Sequence, residues 1–208
     1  VMVTILVNPM QFGANEDLDS YPRTFESDQQ KLISVQVDGV FYPSVDEMYP
    51  NGTCQTKVVV PGDLTGLLEG ETRPGHFDGV TTVVCKLFHM VQPDKAIFGQ
   101  KDYQQVAVIK AMVQDLAMPV DIVVAPISRE KNGLALSSRN QYLSAEQIEV
   151  APKLNTVLQD VAVSIDSGNR DFSDLCKAAK ASLLIEGFDQ VDYIEVRDAN
   201  TLQRVNTF

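Results

Sequence analysis

The feature that most constrains the fold is an alternation of short apolar runs with segments of helical periodicity. Residues 1–7, Lys95 to Phe98 and Val120 to Ala125 are largely apolar runs typical of strands in a parallel sheet. Helices are predicted between them, from about Phe77 to Val91 and from about Asp102 to Leu116. Because such alternation favours right-handed crossovers, the sequence predicts the α/β class, with a Rossmann-like doubly wound parallel sheet.

The helical periodicity also predicts which side chains face the core. The first of these helices carries apolar residues at i, i+3, i+4, i+7, i+8 and i+11, namely Val80, Val83, Val84, Leu87, Phe88 and Val91. In the second helix the predicted inward residues are Val106, Val113 and Leu116, and Asp102 is the predicted N-cap. Nearer the start of the chain, a helix over Phe25 to Val37 and short strands at Gly39–Phe41 and Thr56–Val60 are predicted.

A second, smaller domain is predicted after the last of these strands. Ser144 to Gln147 is a capping box that opens a helical stretch containing Pro152. A helix over Phe172 to Glu186 and a half-exposed strand over Val191 to Val196 complete the prediction. The predicted domains are therefore a Rossmann-like domain over residues 1–127 and a smaller α+β domain over residues 128–208.

Two polar stretches each follow a predicted strand, FGQKDYQQ at 98–105 and KNGLALSSRN at 131–140. Ligands of open α/β sheets bind outside the carboxyl ends of the strands, where both stretches are expected to lie. Lys101 supplies a fixed positive charge in the first, and Ser137 to Arg139 supply hydroxyls and a second cation. This chemistry suits a polyphosphate, although neither stretch is a GxxxxGK phosphate loop or a GxGxxG motif.

Charge and cysteine content narrow the functional classes. The 208 residues carry a net charge of -11, which argues against a nucleic-acid or anionic-membrane partner. Cys54, Cys85 and Cys176 are odd in number and widely spaced, as in reduced cytoplasmic proteins without a zinc site. No apolar run reaches membrane-spanning length, and no secretory leader is recognised.

Five sequence blocks together resemble one enzyme family. They are NPMQFG at 8–13, PGHFDGV at 74–80, FGQKDYQQ at 98–105, GLALSSRN at 133–140 and VDYIEVRDA at 191–199. Their order and spacing are similar to those of the pantothenate synthetase (pantoate–β-alanine ligase) family along nearly the whole chain. Relative to the family pattern, the sequence lacks the preceding segment with the HxGH histidine pair and part of the C-terminus.

The resemblance implies a fold, a reaction and a biological setting. The fold would be that of the nucleotidylyltransferase superfamily. The reaction would be an ATP-dependent, C–N bond-forming ligation of pantoate and β-alanine through pantoyl-adenylate, with release of AMP and pyrophosphate. Mg²⁺ would accompany ATP. The enzyme would be a cytoplasmic homodimer with pantoate, β-alanine and ATP as its small-molecule partners, and residues 39–60 are the predicted part of its interface.

For the acid substrate, the resemblance points to three amide side chains. Asn8, Gln11 and Gln105 match the family's pantoate-binding positions, and Gln11 would also lie near β-alanine. An amide offers both a donor and an acceptor, which suits a carboxylate flanked by hydroxyls. An ordinary Asn-Pro turn at the end of a strand and a solvated helical glutamine remain the alternatives.

For ATP, the resemblance points to two blocks. Gly99, Gln100, Lys101 and Asp102 match one nucleotide-binding block, and the alternative is a helix start with an exposed lysine. Ser128, Leu136, Ser137, Ser138 and Arg139 match the other, and the alternative is a mobile polar loop. Lys101, Ser137, Ser138 and Arg139 would act as the catalytic residues, by stabilising charge on the phosphates.

The remaining polar residues are predicted to have indirect roles. His76 is interpreted as structural or as a support of the site, and His89 as a helix C-terminal cap or a surface residue. Glu16, Asp17 and Asp19 could suggest a metal site, but Mg²⁺ is usually held by ATP phosphates and water. A solvated acidic loop is therefore the favoured interpretation, and the metal ligands and the base for β-alanine stay open.

Two other functions are compatible with these residues. A nucleotidyltransferase that stops at the adenylated or cytidylated product would share the fold but would not need the paired amides. A non-catalytic nucleotide-binding or dimerisation module is the second alternative.

Overall fold

The computed structural model describes residues 1–53 and 56–205, so the prediction for Cys54 lies outside the described residues. The chain divides into two compact units, Val1–Ala125 and Pro126–Phe208. The predicted assignment of residues 1–127 to the binding of ATP and pantoate stays a prediction. In the described ranges, no helix is both long enough and apolar enough to cross a membrane.

The strands of the first unit form parallel pairs. Strand β1 (Met2–Thr4) pairs with β2 (Gly39–Phe41), and β3 (Lys95–Gly99) pairs with β4 (Asp121–Ala125). In the described part of the chain these are two two-stranded sheets. Each pair is joined by a segment containing a helix, as a parallel connection requires. The predicted α/β class is confirmed.

Six helices are described in the first unit. They are α1 (Phe25–Ser34), α2 (Val45–Met48), α3 (Gly62–Thr65), α4 (Glu69–Thr72), α5 (His76–Val91) and α6 (Tyr103–Asp115). Two 3₁₀ turns lie at the ends of strands or extended segments, at Pro9–Gln11 and at Gln100–Asp102. Helix α5 begins after Gly75 and ends at Gln92, both of which have positive φ. Left-handed residues of this kind stop a helix cleanly, so the length of α5 is set locally.

The core of the first unit lies between α5 and α6. Val80, Val83 and Val84 of α5 are buried, as their spacing predicts. In α6, Val108, Ile109 and Met112 are fully buried, whereas Leu116 is 51% exposed. The prediction of Leu116 as an inward residue is therefore wrong, because α6 ends at Asp115 and Leu116 belongs to the turn that follows.

Two elements near the start of the chain differ from their predictions. The helix predicted to Val37 ends at Ser34, and Gln36 has a φ of 58° that no helix accommodates. The predicted strand at Thr56–Val60 is irregular. The backbone N–H of Val58 donates to Thr82 Oγ1 at 3.0 Å, and its carbonyl accepts from Thr81 Oγ1 at 2.5 Å. Hydroxyls of α5 therefore take the place of a neighbouring strand.

The second unit is built from α7 (Ala145–Val150), α8 (Lys153–Asp166) and α9 (Phe172–Ile185). The predicted capping box at Ser144 and Gln147 is confirmed, with both reciprocal hydrogen bonds present. Pro152 separates α7 from α8, because its ring cannot continue the helix. The core of the unit contains Val157, Ala179 and Leu183.

The predicted strand at Val191–Val196 is wrong. This segment is irregular in the structure, and no described residue pairs with it as a strand. Val191 and Ile194 pack against the core of the second unit. They are three residues apart, and a strand would need its buried residues two apart.

The two described cysteines are free thiols, Cys85 and Cys176. Burial raises the pKa of both above the usual value for a thiol, so both remain protonated near neutral pH. This agrees with the prediction of reduced cysteines for these two positions.

Candidate active site

The amide of Asn8 holds the turn that follows β1. Asn8 is 2% exposed and caps the 3₁₀ turn Pro9–Gln11. Its Oδ1 accepts from the hydroxyl of Tyr49 at 2.7 Å and from the N–H of Met10 at 3.3 Å. Its Nδ2 donates to Gln11 Oε1 at 3.1 Å and to the carbonyl of Gly79 at 3.2 Å. The whole Asn8 amide is thus used to shape the turn and to orient the half-buried Gln11.

A glycine of α5 lets this turn approach the helix backbone. A Cβ placed on Gly79 would lie 2.1 Å from the carbonyl oxygen of Met10 and 2.7 Å from the N–H nitrogen of Gln11. Any side chain at position 79 would push the turn away from α5. Glycine costs a helix interior about 1 kcal/mol relative to alanine, and here the close contact explains its presence.

Charged residues hold the same turn from its other side. The guanidinium of Arg73 donates to both carboxylate oxygens of Glu16, at 2.8 and 2.5 Å, and to Glu69 Oε1 at 2.6 Å. It also donates to the carbonyl of Gln11 at 3.2 Å. The hydrogen bonds from Arg73 lower the pKa of Glu16, and the carboxylate of Glu16 in turn raises the pKa of Arg73. The acidic loop of residues 16–19 is therefore held against the rest of the first unit by the hydrogen bonds of Glu16.

Of the two adjacent glutamines on α6, one is structural. Gln104 is buried, accepts from the N–H of Glu69 at 3.1 Å, and donates to the carbonyls of Leu64 and Leu67 at 2.8 Å each. Gln105 is half-buried, and within the described residues its amide has no hydrogen-bond partner. The predicted pantoate ligand Gln105 is thus the glutamine that is available to a ligand.

The first predicted nucleotide-binding block lies at the carboxyl end of β3, the position expected from the sequence. Gly99 ends the strand, and a Cβ there would meet no atom within 4 Å, so the backbone is accessible. Gln100–Asp102 form a 3₁₀ turn, in which Lys101 Nζ lies 3.1 Å from Asp102 Oδ1. Asp102 occupies the N-cap position of α6 but makes no capping hydrogen bond. Its predicted capping role is wrong, because Lys101 engages the carboxylate instead.

The second block belongs to the second unit and is organised by a tight backbone hairpin. The N–H of Leu136 donates to the carbonyl of Ser128 at 2.9 Å, and Gly133 has the positive φ of 94° that the turn requires. This pairing brings Ser128 next to the segment Leu136 to Arg139.

A 3₁₀ helix, Ser138–Tyr142, follows this hairpin. Ser137 caps it by accepting from the N–H of Arg139 at 3.3 Å. The side chains of Ser138 and Arg139 are exposed. Two hydroxyls and a guanidinium are thus presented on one short turn.

The two histidines have the indirect roles predicted for them. His76 is buried, and its Nδ1 lies 2.8 Å from the carbonyl oxygen of Gln11. His89 is exposed in the last turn of α5, with Nδ1 2.7 Å from the carbonyl oxygen of Cys85. Across residues 1–53 and 56–205, no group of three or more His, Cys, Asp or Glu side chains could hold a metal ion.

Comparison with known proteins identifies the family. A model of the family "Pantoate-beta-alanine ligase" matches residues 1–207. This chain belongs to the pantoate-beta-alanine ligase family. Pantothenate synthetase of Hydrogenovibrio crunogenus is 59% identical over 203 residues, which are 98% of this chain and 72% of that protein. The corresponding protein of Ectopseudomonas mendocina is 54% identical over 98% of this chain and 71% of its own length.

Solved structures of the same family resemble the fold. A crystal structure of pantothenate synthetase from Thermus thermophilus gives a TM-score of 0.94 at 43% identity, over 100% of this chain and 74% of that one. Pantoate-beta-alanine ligase from Francisella tularensis, complexed with beta-gamma ATP and beta-alanine, gives a TM-score of 0.78 at 37% identity. That match covers 89% of this chain and 67% of the Francisella chain.

The residues that hold the amide turn were not predicted from the sequence. Gly79 lies inside the block PGHFDGV, and a glycine within a predicted amphipathic helix was the available signal. Tyr49 and Arg73 carried no such signal, because their partners at the turn, Asn8 and Glu16, are 41 and 57 residues away.

Proposed function

We propose that this pantoate-beta-alanine ligase condenses pantoate with β-alanine in two steps at the expense of ATP. Membership of the family supports the ligase activity. The Francisella relative complexed with beta-gamma ATP and beta-alanine supports a site for those two ligands. The observation that carries the residue assignment is the internally braced amide turn at residues 8–11, followed by the available amide of Gln105 on α6.

In the first step the amides orient the acid. Gln11 and Gln105 bind the carboxylate and hydroxyls of pantoate. Asn8, the third amide to which the resemblance points, instead keeps Gln11 in place, because both atoms of its buried amide already have protein partners. A pantoate carboxylate oxygen attacks the α-phosphorus of ATP, the bond from that phosphorus to the bridging oxygen breaks, and pyrophosphate leaves. A carboxylate is already a nucleophile, so positioning and charge neutralisation supply the catalysis and no base is needed.

The cationic and hydroxyl side chains act on the phosphates. Lys101, Ser137, Ser138 and Arg139 stabilise the charge that grows on the phosphate oxygens as pyrophosphate leaves. The segments around them, at Gly99, Gln100, Asp102, Ser128 and Leu136, contact the nucleotide. Mg²⁺ enters with the triphosphate, since this ion keeps several waters and is bound largely through substrate phosphates. It would neutralise phosphate charge there.

In the second step the acyl group moves to nitrogen. The amine of β-alanine attacks the acyl carbon of pantoyl-adenylate, a C–N bond forms, and the C–O bond to AMP breaks. The β-alanine ammonium loses one proton to become the attacking amine and a second as the amide forms, no described side chain is assigned to accept them, and AMP leaves as the phosphate anion. Gln11 is further proposed to orient β-alanine as well as pantoate.

The overall reaction is tested with the natural protein. AMP and pyrophosphate should form from ATP only when pantoate and β-alanine are both present. Pantoate alone should support exchange of labelled pyrophosphate into ATP. Exchange that is equally fast without pantoate would contradict the proposal, and pyrophosphate release without AMP would indicate a nucleotidyltransferase that stops at the adenylate.

The enzyme is further proposed to be a cytoplasmic homodimer with part of its interface in residues 39–60. Tyr42, Val45 and Val59 support this surface, because all three are apolar and exposed. A dimer of ordinary stability would bury about 1,600 Å² in total. Sedimentation should give a dimer at micromolar concentration, and Val59→Asp should weaken it. A parent protein that sediments as a monomer would refute the dimer and leave the activity untouched.

A further inference from the structure

One backbone carbonyl at the candidate substrate site receives two side-chain hydrogen bonds. The carbonyl oxygen of Gln11 lies 3.2 Å from Arg73 Nη2 and 2.8 Å from His76 Nδ1. Arg73 directly follows α4, and His76 is the first residue of α5. The main chain of the predicted pantoate ligand is thus fixed independently of its side-chain amide.

Arg73 is itself held at every edge of its guanidinium. Nε and Nη2 form a two-pronged contact with the Glu16 carboxylate, and Nη1 donates to Glu69 Oε1 at 2.6 Å. A planar fork of this kind fixes the angle of approach as well as the distance, which a lysine ammonium cannot do. Arg73 and Glu16 are both largely shielded, with side chains 21% and 25% exposed. The pair is therefore less screened by solvent than an ordinary surface pair.

The same cluster assigns the proton of His76. Arg73 Nη1 lies 3.3 Å from His76 Nε2, and a guanidinium can only donate. The Nε2 atom therefore accepts, and in the neutral ring the proton is on Nδ1, where it donates to the carbonyl of Gln11. Arg73 thus secures Gln11 both directly and through His76.

The cluster also reaches Gln104, the chain neighbour of the second predicted pantoate amide. The backbone N–H of Glu69 donates to Oε1 of Gln104, which directly precedes Gln105 on α6. A continuous set of hydrogen bonds therefore runs from Gln11 through Arg73 and Glu69 to Gln104.

We propose that Arg73 and Glu16 form a positioning clamp that fixes the spacing of Gln11 and Gln105 and thereby sets the affinity for pantoate. This inference rests on the proposed function, since it takes these two amides as the pantoate ligands. The clamp acts through the main chain of Gln11. It includes neither Lys101 nor any residue of the turn from Ser137 to Arg139, so it should act on pantoate and not on ATP.

The test compares Arg73→Lys and Glu16→Gln with the parent natural protein in pantoate-dependent pyrophosphate–ATP exchange. Arg73→Lys keeps the charge and loses the fork, and the KM for pantoate should rise about tenfold, equivalent to 1.4 kcal/mol. Glu16→Gln should also raise the KM for pantoate, by a smaller factor than Arg73→Lys. The KM for ATP should change less than twofold in both variants. Because the two residues act as one unit, the double variant should be little worse than Arg73→Lys.

Arg197→Lys is the matched control. Arg197 also forms an ion pair with a glutamate, Glu195, and donates to a backbone carbonyl, that of Leu202. It lies in the second unit. This variant should lower the melting temperature by a similar amount and leave the KM for pantoate unchanged, which separates positioning from general stability.

The outcomes distinguish the inference from the function on which it rests. A parent enzyme without pantoate-dependent exchange would refute the proposed function and, with it, the clamp. An active parent whose Arg73→Lys and Glu16→Gln variants keep the parental pantoate KM, or raise the KM for pantoate and ATP equally, would overturn the clamp alone. Near-additive effects in the double variant would also contradict it.

Discussion

The amide turn at residues 8–11 and the proposed phosphate-binding block at 99–102 differ in how firmly the protein holds them. The Asn8 amide has four protein partners and is 2% exposed. The side chain of Lys101 is 43% exposed and contacts the carboxylate of its chain neighbour Asp102. The buried, fully bonded amide of Asn8 fixes the turn before a small acid binds. The exposed ammonium of Lys101 can instead change position to match a long, flexible triphosphate.

This difference predicts that mutations in the two regions will change different quantities. A change in the turn breaks buried hydrogen bonds, so it should reduce both stability and the affinity for pantoate. A change at Lys101 removes an exposed ion pair, which contributes little to stability. It should therefore affect turnover almost alone.

The largest effect is expected for Lys101→Ala. Loss of one preorganised group that stabilises charge in the transition state typically lowers turnover about 10²–10³-fold, or roughly 3–4 kcal/mol. The affinity for ATP should fall less, because the charge grows mainly in the transition state. Single-turnover adenylate formation at several ATP concentrations would measure the turnover and the affinity for ATP, and thermal unfolding would measure stability. Lys110→Ala, on the exposed face of α6, is the control. Full activity in a well-folded Lys101→Ala protein would contradict the catalytic role and favour the alternative, an exposed lysine at the start of a helix.

The next largest effect is expected for Gly79→Ala. The added methyl group would lie 2.1 Å from the carbonyl of Met10, so the turn must move away from α5. Overpacking of this kind costs about 1–3 kcal/mol, and the displaced Gln11 should bind pantoate less tightly. Urea denaturation and the KM for pantoate would test it against Gly62→Ala, where a Cβ meets no atom within 4 Å. Equal stability of the two variants would show that the turn is not seated against the helix.

A smaller effect is expected for Tyr49→Phe. This change removes the hydroxyl that donates to Asn8 Oδ1 at 2.7 Å while keeping the buried ring. Leaving a buried acceptor short of one donor costs about 1 kcal/mol. The free energy of unfolding should fall by that amount and the KM for pantoate should rise slightly, with the KM for ATP unchanged. A Tyr42→Phe variant, altered at an exposed tyrosine, should match the parent in all three measurements.

The smallest effect is a pH dependence at Glu16. Hydrogen bonds from Arg73 lower its pKa below 4.5, the value expected in the unfolded chain. The pair therefore stabilises the fold fully above pH 4.5, and this stabilisation is lost as the pH falls through the lowered pKa. Glu16→Gln should be less stable than the parent by about 0.5–1 kcal/mol at pH 7, and the gap should close in acid. If the difference in the free energy of unfolding between the parent and Glu16→Gln stays constant down to about pH 3, the stabilisation does not come from an ionised Glu16.

The elements predicted well from sequence are those with a strong local period. Helix α5 and strands β3 and β4 begin and end within one residue of their predictions, because the apolar pattern of each stops close to where the element itself stops. The wrong predictions at residues 56–60 and 191–196 share one cause. An apolar run indicates that a segment is buried, but its partner is decided by tertiary structure. For Val58 that partner is a pair of threonine hydroxyls on α5.

For the candidate site, sequence reasoning found the residues proposed to meet substrates and, apart from Asn8 and His76, missed those that hold them. Gln11, Gln105 and Lys101 lie in contiguous motifs, so a linear pattern includes them. Arg73 is 57 residues from its partner Glu16, and Tyr49 is 41 residues from Asn8. Contacts at such separations leave no local period, and only the folded chain brings them together.

The most direct test of the division of labour is adenylate formation in a single turnover by Gln105→Ala, measured across pantoate and ATP concentrations in the natural protein. Gln114→Ala, at an exposed position of the same helix, is the matched control. We predict that the half-saturating pantoate concentration rises in Gln105→Ala while that of ATP stays at the parental value, and that Gln114→Ala changes neither. A Gln105→Ala enzyme that loses affinity for ATP and pantoate equally would contradict the separation of an acid-binding amide set from a phosphate-binding set.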